Sequence, residues 1–152
     1  MCTITYNAAD PYVSEFRSAE RLCAEWKRHG SIIIGVDFDD TIYDCHSKGF
    51  VFPYTISTIK RAQKLGAKLC VWTANANKDL VDNVWNELEL KYDYYNESPI
   101  VLHDNQIKPY FNLLLDDRAG LESALYILNR TMVLYNNYLW SIHDTNTTCT
   151  QH

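Results

Sequence analysis

The sequence predicts an α/β fold in which a mainly parallel sheet packs against helices. Short runs of apolar, often β-branched residues alternate with longer segments whose apolar residues recur about every three to four positions. Strands that alternate with helices in this way are joined by right-handed crossovers and lie parallel. The predicted architecture is therefore a Rossmann-like three-layer sandwich without a substantial cap domain.

The first helix and strand are predicted from residues 13–37. Apolar residues form one stripe of a helix over residues 13–29, and Gly30 ends it. The run after Gly30 is rich in isoleucine and predicts a strand over residues 31–37 that is buried on both faces. Residues 3–6 suggest a short edge strand. The stripe of the helix consists of Phe16, Ala19, Leu22, Cys23 and Trp26.

The next two helix–strand units follow the same pattern. Residues 42–54 are predicted to form a loop or small hairpin, before a helix over residues 55–65 that Gly66 stops. A strand over residues 67–73 and a helix over residues 77–90 come next. Trp72 and Trp85 are predicted to lie in the core.

The last part of the chain is predicted to contain a strand and a long helix. Residues 92–98 are polar and aromatic, as in a loop, and residues 100–102 suggest a short strand. A further strand is predicted over residues 112–116, and a helix from residue 119 to about residue 140. We predict one domain over residues 1–143 and a disordered polar tail over residues 144–152.

Composition limits the classes of function. The 152 residues suffice for one domain with a real core, and 47% hydrophobic with 22% charged residues indicate a globular chain. The net charge of −5 argues against bulk nucleic-acid binding. The five cysteines are scattered without a CxxC pair, which predicts neither disulfides nor a zinc site. With no signal peptide or membrane-length apolar run visible, we predict a cytoplasmic protein without a membrane partner.

Carboxylates follow two of the predicted strands. Asp37, Asp39 and Asp40 end the first strand, and Asp116 and Asp117 end the last. Because ligands of parallel sheets bind at the carboxyl ends of the strands, the two clusters are expected to share one pocket. For Asp37, Asp39 and Thr41 alone, a solvated turn is the alternative, but together with Asp116 and Asp117 they favour a divalent cation. Mg²⁺, a hard ion that takes oxygen ligands, is the predicted cofactor.

The residue types around these carboxylates suit phosphate chemistry. Two carboxylates spaced i and i+2 lie on the same side of an extended chain, so one can attack while the other moves protons. The Thr41 hydroxyl is expected to orient Asp39. Thr73, at the end of the second strand, can donate a hydrogen bond to a phosphoryl oxygen. Lys108 could neutralise both the nucleophile and the phosphate.

The motifs DFDDT, WTAN and IKPYFNLLLDDRAG resemble the four-motif signature of haloacid dehalogenase-like (HAD) phosphatases. The resemblance covers residues 31 to about 125. It implies that Asp37 is the nucleophile and Asp39 the general acid/base. It also implies binding of phosphate by Thr73, Ala74 and Lys108. The implied Mg²⁺ ligands are Asp37, Asp39 through its carbonyl, Asp116 and Asp117.

The closing motif is especially similar to small capless members, including capsule-type and phage-encoded phosphatases, and its DDR triplet resembles the phosphatase half of phage polynucleotide kinase. In this family, capless members often act on larger substrates or use a partner subunit as a lid. Lys78 remains an alternative to Lys108 as the motif lysine. Further candidate substrate contacts are His46, Lys48 and Arg118. For Asp44–Cys45–His46, a loop over the pocket mouth is favoured over a soft-metal site.

The expected function is Mg²⁺-dependent hydrolysis of a phosphomonoester through an aspartyl-phosphate. The resemblance suggests a nucleotide, or the 3′- or 5′-phosphate of a nucleic-acid end, as the substrate. The alternative is a non-catalytic protein that sequesters a phosphorylated ligand such as a signalling nucleotide. A phosphotransferase or a structural subunit with its pocket at an oligomer interface is a third hypothesis, so a homo-oligomer is left open.

Overall fold

Four parallel strands form the central sheet of this computed structural model, which describes residues 12–147 and the side chains of residues 12–144. The strands are β1 (Ile33–Val36), β2 (Lys68–Val71), β3 (Tyr94–Tyr95) and β4 (Leu113–Leu115). Their order across the sheet is β3-β2-β1-β4, and every pair is parallel. The predicted α/β, Rossmann-like fold is therefore confirmed.

One face of the sheet forms the core together with the helices α1 (Glu15–His29), α2 (Pro53–Lys64), α3 (Lys78–Glu87) and α4 (Leu121–Thr147). Ile34 and Val36 of β1 lie level with apolar partners on β2 and β4. Because alternate residues of a strand share a face, these side chains form one layer. The helices bury apolar side chains in the same core cluster, among them Leu22, Trp26, Ile59, Trp85 and Leu128.

The other face of the sheet carries Gly35 and Cys70 and is covered in part by the segment between β3 and β4. The Phe111 ring lies directly on Gly35, where an added Cβ would stand only 2.7 Å from a ring carbon. A side chain at position 35 would therefore force the Phe111 ring to move. The same ring packs edge-on against Trp72, with centroids 5.8 Å apart.

Local signals set several of the helix ends. The Ser14 hydroxyl accepts a hydrogen bond from the Arg17 N–H, which caps α1, and Gly30 ends it in the left-handed conformation (φ 71°). The Asn77 side chain caps α3 in the same way. Helix α2 begins at Pro53, two positions before the predicted start at residue 55, because proline is well tolerated in the first turn.

Several sequence predictions were wrong in detail. β3 lies inside the predicted loop 92–98, whereas residues 100–102 form no strand. α4 continues past residue 140 to Thr147, into the predicted disordered tail. Phe16 is 43% exposed and contacts the Arg130 guanidinium instead of the core.

The predicted edge strand at residues 3–6 and the end of the predicted tail, residues 148–152, lie outside the described residues. Within residues 12–147, none of the helices has both the length and the apolar character that a membrane span requires.

Candidate active site

Backbone pairing places Asp37 at the carboxyl edge of the sheet. Its N–H donates to the Leu115 carbonyl (2.9 Å), which continues the β1–β4 pairing one residue beyond β1. On the other side of β1, the Trp72 N–H donates to the Val36 carbonyl (2.9 Å). The ends of three strands thus hold Asp37 next to Thr73 and the acidic pair after β4.

The buried Thr41 hydroxyl connects the two acidic clusters. It donates to Asp37 Oδ2 (3.3 Å) and accepts from the Asp117 N–H (3.1 Å). The sequence predicted that Thr41 orients Asp39. The structure corrects this prediction, because the turn after Asp39 points the hydroxyl back toward Asp37. One side chain therefore fixes both the candidate nucleophile and the loop that carries Asp117.

Asp39 is positioned by Asn75, which the sequence analysis did not single out. Asn75 Nδ2 donates to Asp39 Oδ1 (3.0 Å), and the Asn75 N–H donates to the Thr73 hydroxyl (3.0 Å). The only signal for this role was the asparagine inside the motif WTAN. A single loop residue thus arranges the candidate acid/base and the candidate phosphate-binding hydroxyl.

The main chain of Thr73 is held by the Asn96 side chain. Asn96 Oδ1 accepts from the Thr73 N–H (2.8 Å), and Asn96 Nδ2 donates to the Thr73 carbonyl (2.8 Å). The side-chain amide of Asn96 therefore makes the same two hydrogen bonds to Thr73 that the backbone of an adjacent strand would make. This pairing lies just beyond the ends of β2 and β3. The sequence signal for this role of Asn96 was weak, because an asparagine that follows two tyrosines is typical of an ordinary turn.

The carboxylates of Asp37, Asp116 and Asp117 form a compact trio. One oxygen from each lies within 4.8 Å of the others. The Arg118 N–H donates to Asp116 Oδ1 (2.8 Å) and fixes that side chain. Three hard oxygen donors, two on half-buried side chains and one on the exposed Asp117, fit a Mg²⁺ ion, which takes few carboxylates and keeps places for water and phosphate. The Asp39 carboxylate is bound to Asn75 and lies outside this trio.

The environment of Asp37 disfavours its charged form. Burial, and secondarily the negative charges of Asp116 and Asp117, raise the pKa of Asp37 to about 6, although hydrogen bonds from the Phe38 N–H and Thr41 oppose the shift. A cation beside Asp37 would reverse this effect by favouring the carboxylate. Without a cation, the three neighbouring carboxylates therefore lack a positive charge that would stabilise the ionised form of Asp37.

In metal-free protein, Asp37→Asn is expected to raise the free energy of unfolding by about 1–2 kcal/mol at about pH 7.5, a value discounted because Asp37 is only half-buried. The folded-state pKa of about 6 exceeds the unfolded-state value of about 3.9. The contribution of Asp37 to the stability of the wild type is therefore fully present below pH ~4 and is lost as the pH rises through 6. Urea unfolding of both proteins with EDTA, at about pH 4 and at about pH 7.5, measures the difference. An equal difference at both would contradict the prediction.

The trio lies in an open cavity of about 690 Å³ at the carboxyl edge. Trp72, predicted to lie in the core, is instead partly exposed in the cavity wall. Trp85 is buried, as predicted. The residues that line the cavity are Asp37, Asp39, Asp40, Cys45, His46, Trp72, Thr73, Ala74, Asn75, Asp116, Asp117 and Arg118.

The predicted lysines are not among these lining residues. The Lys78 ammonium bonds Asp82 (2.7 Å) and the Tyr92 hydroxyl (2.9 Å), so it is engaged on α3. Lys108 is exposed on the segment before β4, and Lys48 is exposed on the loop after Cys45. Arg118 is the arginine that the structure does bring to the cavity.

The fold and the site define a parallel α/β protein with an acidic, cation-suited cavity at the carboxyl edge of its sheet. No family model matches the chain, and no curated protein matches it either. Among solved structures, a conserved protein coded by a locus of Bacteroides thetaiotaomicron matches with 24% sequence identity and a TM-score of 0.45. The match covers 58% of this chain and 77% of that one. A likeness at this level carries no argument about function.

Proposed function

We propose that this protein is a Mg²⁺-dependent phosphomonoesterase of the HAD type that works through an aspartyl-phosphate. The observation that carries the proposal is the division of the carboxylates into two environments. Asp37 belongs to the metal-suited trio, whereas Asp39 stands apart on a hydrogen bond to Asn75. Two carboxylates in different environments can take different roles, one as a nucleophile and one as an acid/base.

The proposed reaction has two displacement steps. In the first, an Asp37 oxygen forms a bond to phosphorus while the bond to the leaving oxygen breaks, and Asp39 gives that oxygen a proton. In the second, Asp39 takes a proton from water, whose oxygen displaces Asp37 and releases phosphate. The Thr73 hydroxyl and the Ala74 N–H are proposed to bind the phosphoryl oxygens. Mg²⁺ held by Asp37, Asp116 and Asp117 would offset the charge of the phosphate.

A nucleotide or a phosphorylated nucleic-acid end is the proposed substrate class. The cavity volume of about 690 Å³ falls in the range of small-molecule sites, and the cavity is open. The partly exposed Trp72 ring in its wall offers a surface on which a base can stack. The overall charge of −5 favours contact with the end of a nucleic acid over binding along its length.

The substrate class predicts a pattern in a phosphate-release screen. With Mg²⁺, nucleoside monophosphates or 3′- or 5′-phosphorylated oligonucleotides are expected to be hydrolysed faster than sugar phosphates, because only they carry a base for Trp72. EDTA is expected to stop release, and added Mg²⁺ to restore it. Tight binding of a nucleotide that stays intact with Mg²⁺ present would instead favour a sequestering protein. A preference for sugar phosphates would contradict the proposed class.

The cation that binds the phosphate is predicted to be Arg118, although the family resemblance favours Lys108. We expect Arg118→Met to raise KM about tenfold or more, because hydrogen bonds that involve a charged group contribute about 1.5–3 kcal/mol. Lys108→Met is the matched variant, since it removes an exposed cation outside the cavity lining. Initial rates at varied substrate concentration measure both. If KM rises only in Lys108→Met, the prediction for Arg118 is wrong and Lys108 is the cation that binds the phosphate.

A further inference from the structure

A second group of potential metal ligands lies at the mouth of the cavity and is separate from the acidic trio. It consists of Asp40, Cys45 and His46. One ligand atom from each residue, a carboxylate oxygen, a thiol sulfur and an imidazole nitrogen, lies within 4.8 Å of the other two. His46 Nε2 stands 3.4 Å from Asp40 Oδ2. None of the three has a role in the proposed phosphatase reaction.

Main-chain hydrogen bonds set the positions of these side chains. Asp40 adopts the left-handed conformation (φ 56°), and its N–H donates to the Tyr43 carbonyl (2.7 Å). The Cys45 N–H donates to the same carbonyl (3.1 Å). This tight turn brings Asp40 back beside Cys45 although four residues separate them in the chain.

Asp44 fixes the loop that carries the other two ligands. Its Oδ2 accepts hydrogen bonds from the Gly49 N–H (2.6 Å) and the Phe50 N–H (3.1 Å). The Asp44 carboxylate is thus engaged with the loop backbone. The adjacent residues Asp44, Cys45 and His46 therefore do not converge as one set of ligands. Asp40, which the left-handed turn delivers, takes the place of Asp44.

The chemistry of this group suits a borderline cation rather than Mg²⁺. Bonds of about 2.0–2.3 Å to a tetrahedral zinc ion separate neighbouring ligand atoms by about 3.3–3.8 Å, and the oxygen–nitrogen distance of 3.4 Å agrees. Thiolate and imidazole are preferred by Zn²⁺ over Mg²⁺. Asp40 and a Cys45 thiolate would together offset both charges of the ion.

We propose that Asp40, Cys45 and His46 form a binding site for Zn²⁺ whose fourth position is open to the cavity. Three protein ligands with one open position are the arrangement found where zinc also contacts a water or a substrate. The same cavity would then hold a hard-cation site on the strand ends and a thiol-containing site at its mouth. This inference does not depend on the proposed phosphatase activity.

Spectroscopic titration of the full chain with Co²⁺, a probe for zinc sites, tests the proposal. After treatment with EDTA and reductant, the protein is expected to develop a near-ultraviolet thiolate-to-cobalt charge-transfer band that saturates and that Zn²⁺ abolishes. Cys45→Ser should lose this band. His46→Ala should weaken Zn²⁺ binding at least about tenfold in a competition assay, since even the loss of an outer-shell partner weakens a site about 10–100-fold.

Two variants serve as controls. His103→Ala removes another exposed histidine, and Asp37→Asn changes the acidic trio, so both should keep the band and the zinc affinity. His46 is itself exposed, so its replacement should leave the far-ultraviolet circular dichroism unchanged. A band that persists in Cys45→Ser, an unchanged affinity in His46→Ala, or no saturable binding by the wild type would each overturn the proposal.

Discussion

Asp37→Asn is expected to lower the turnover of p-nitrophenyl phosphate with Mg²⁺ by on the order of 10⁴-fold or more, because the proposed covalent intermediate forms on the Asp37 carboxylate. Asparagine has nearly the same shape as aspartate and can still accept the hydrogen bond from Thr41. The fold should therefore persist, and removal of a carboxylate that burial disfavours should even stabilise the metal-free protein.

Asp104→Asn is the matched control for this loss. It makes the same chemical change at an exposed aspartate that does not line the cavity, and it should keep wild-type activity. Circular dichroism and thermal unfolding establish that both variants are folded. Turnover of folded Asp37→Asn within about tenfold of the wild type would eliminate the aspartyl-phosphate mechanism.

Asp39→Asn is expected to separate the two steps of the reaction. p-Nitrophenolate leaves without a proton, so the first step should still occur and release about one equivalent of p-nitrophenol per protein. Hydrolysis of the aspartyl-phosphate needs a base, so steady-state turnover should then fall about 10²–10⁴-fold. Stopped-flow absorbance measures both phases.

Asn75→Ala is the companion variant for Asp39. It leaves the carboxylate in place but removes the hydrogen bond that orients it, so its loss of turnover should be smaller than that of Asp39→Asn. A wild-type steady-state rate in Asp39→Asn would contradict the assignment of Asp39 as the acid/base. Larger loss in Asn75→Ala than in Asp39→Asn would assign the asparagine a direct role in catalysis.

The parts of the fold that the sequence predicted are those with strong local signals. The isoleucine run of β1, the stop at Gly30 and the periodicity of α1 each depend on a few neighbouring residues. β3 was missed because it has only two residues and depends on pairing with β2. Residues 100–102 are apolar but form no strand, because they lie in an irregular segment in which Gln106 bonds to Leu102, Ser98, Ile100 and Lys108.

The same distinction applies to the candidate site. Carboxylates that directly follow apolar runs can be found from the sequence, and the structure brings Asp37, Asp116 and Asp117 together as expected. Asn75 and Asn96 were not predicted as positioning residues, since their partners are distant in the chain. The approach of Asp40 to Cys45 depends on one left-handed turn, which a list of residue types does not indicate.

The hydrogen bonds that hold the cavity residues in place join residues that are far apart in the sequence. Asn96 is 23 residues from Thr73, Asn75 is 36 residues from Asp39, and Asp117 is 76 residues from Thr41. Contacts with such sequence separation form slowly, because long loops must close before they contribute. During refolding, helical circular dichroism should therefore recover before the proposed hydrolytic activity does. That activity would then appear only in chains with completed tertiary structure, and partly folded chains would remain inert toward phosphate esters.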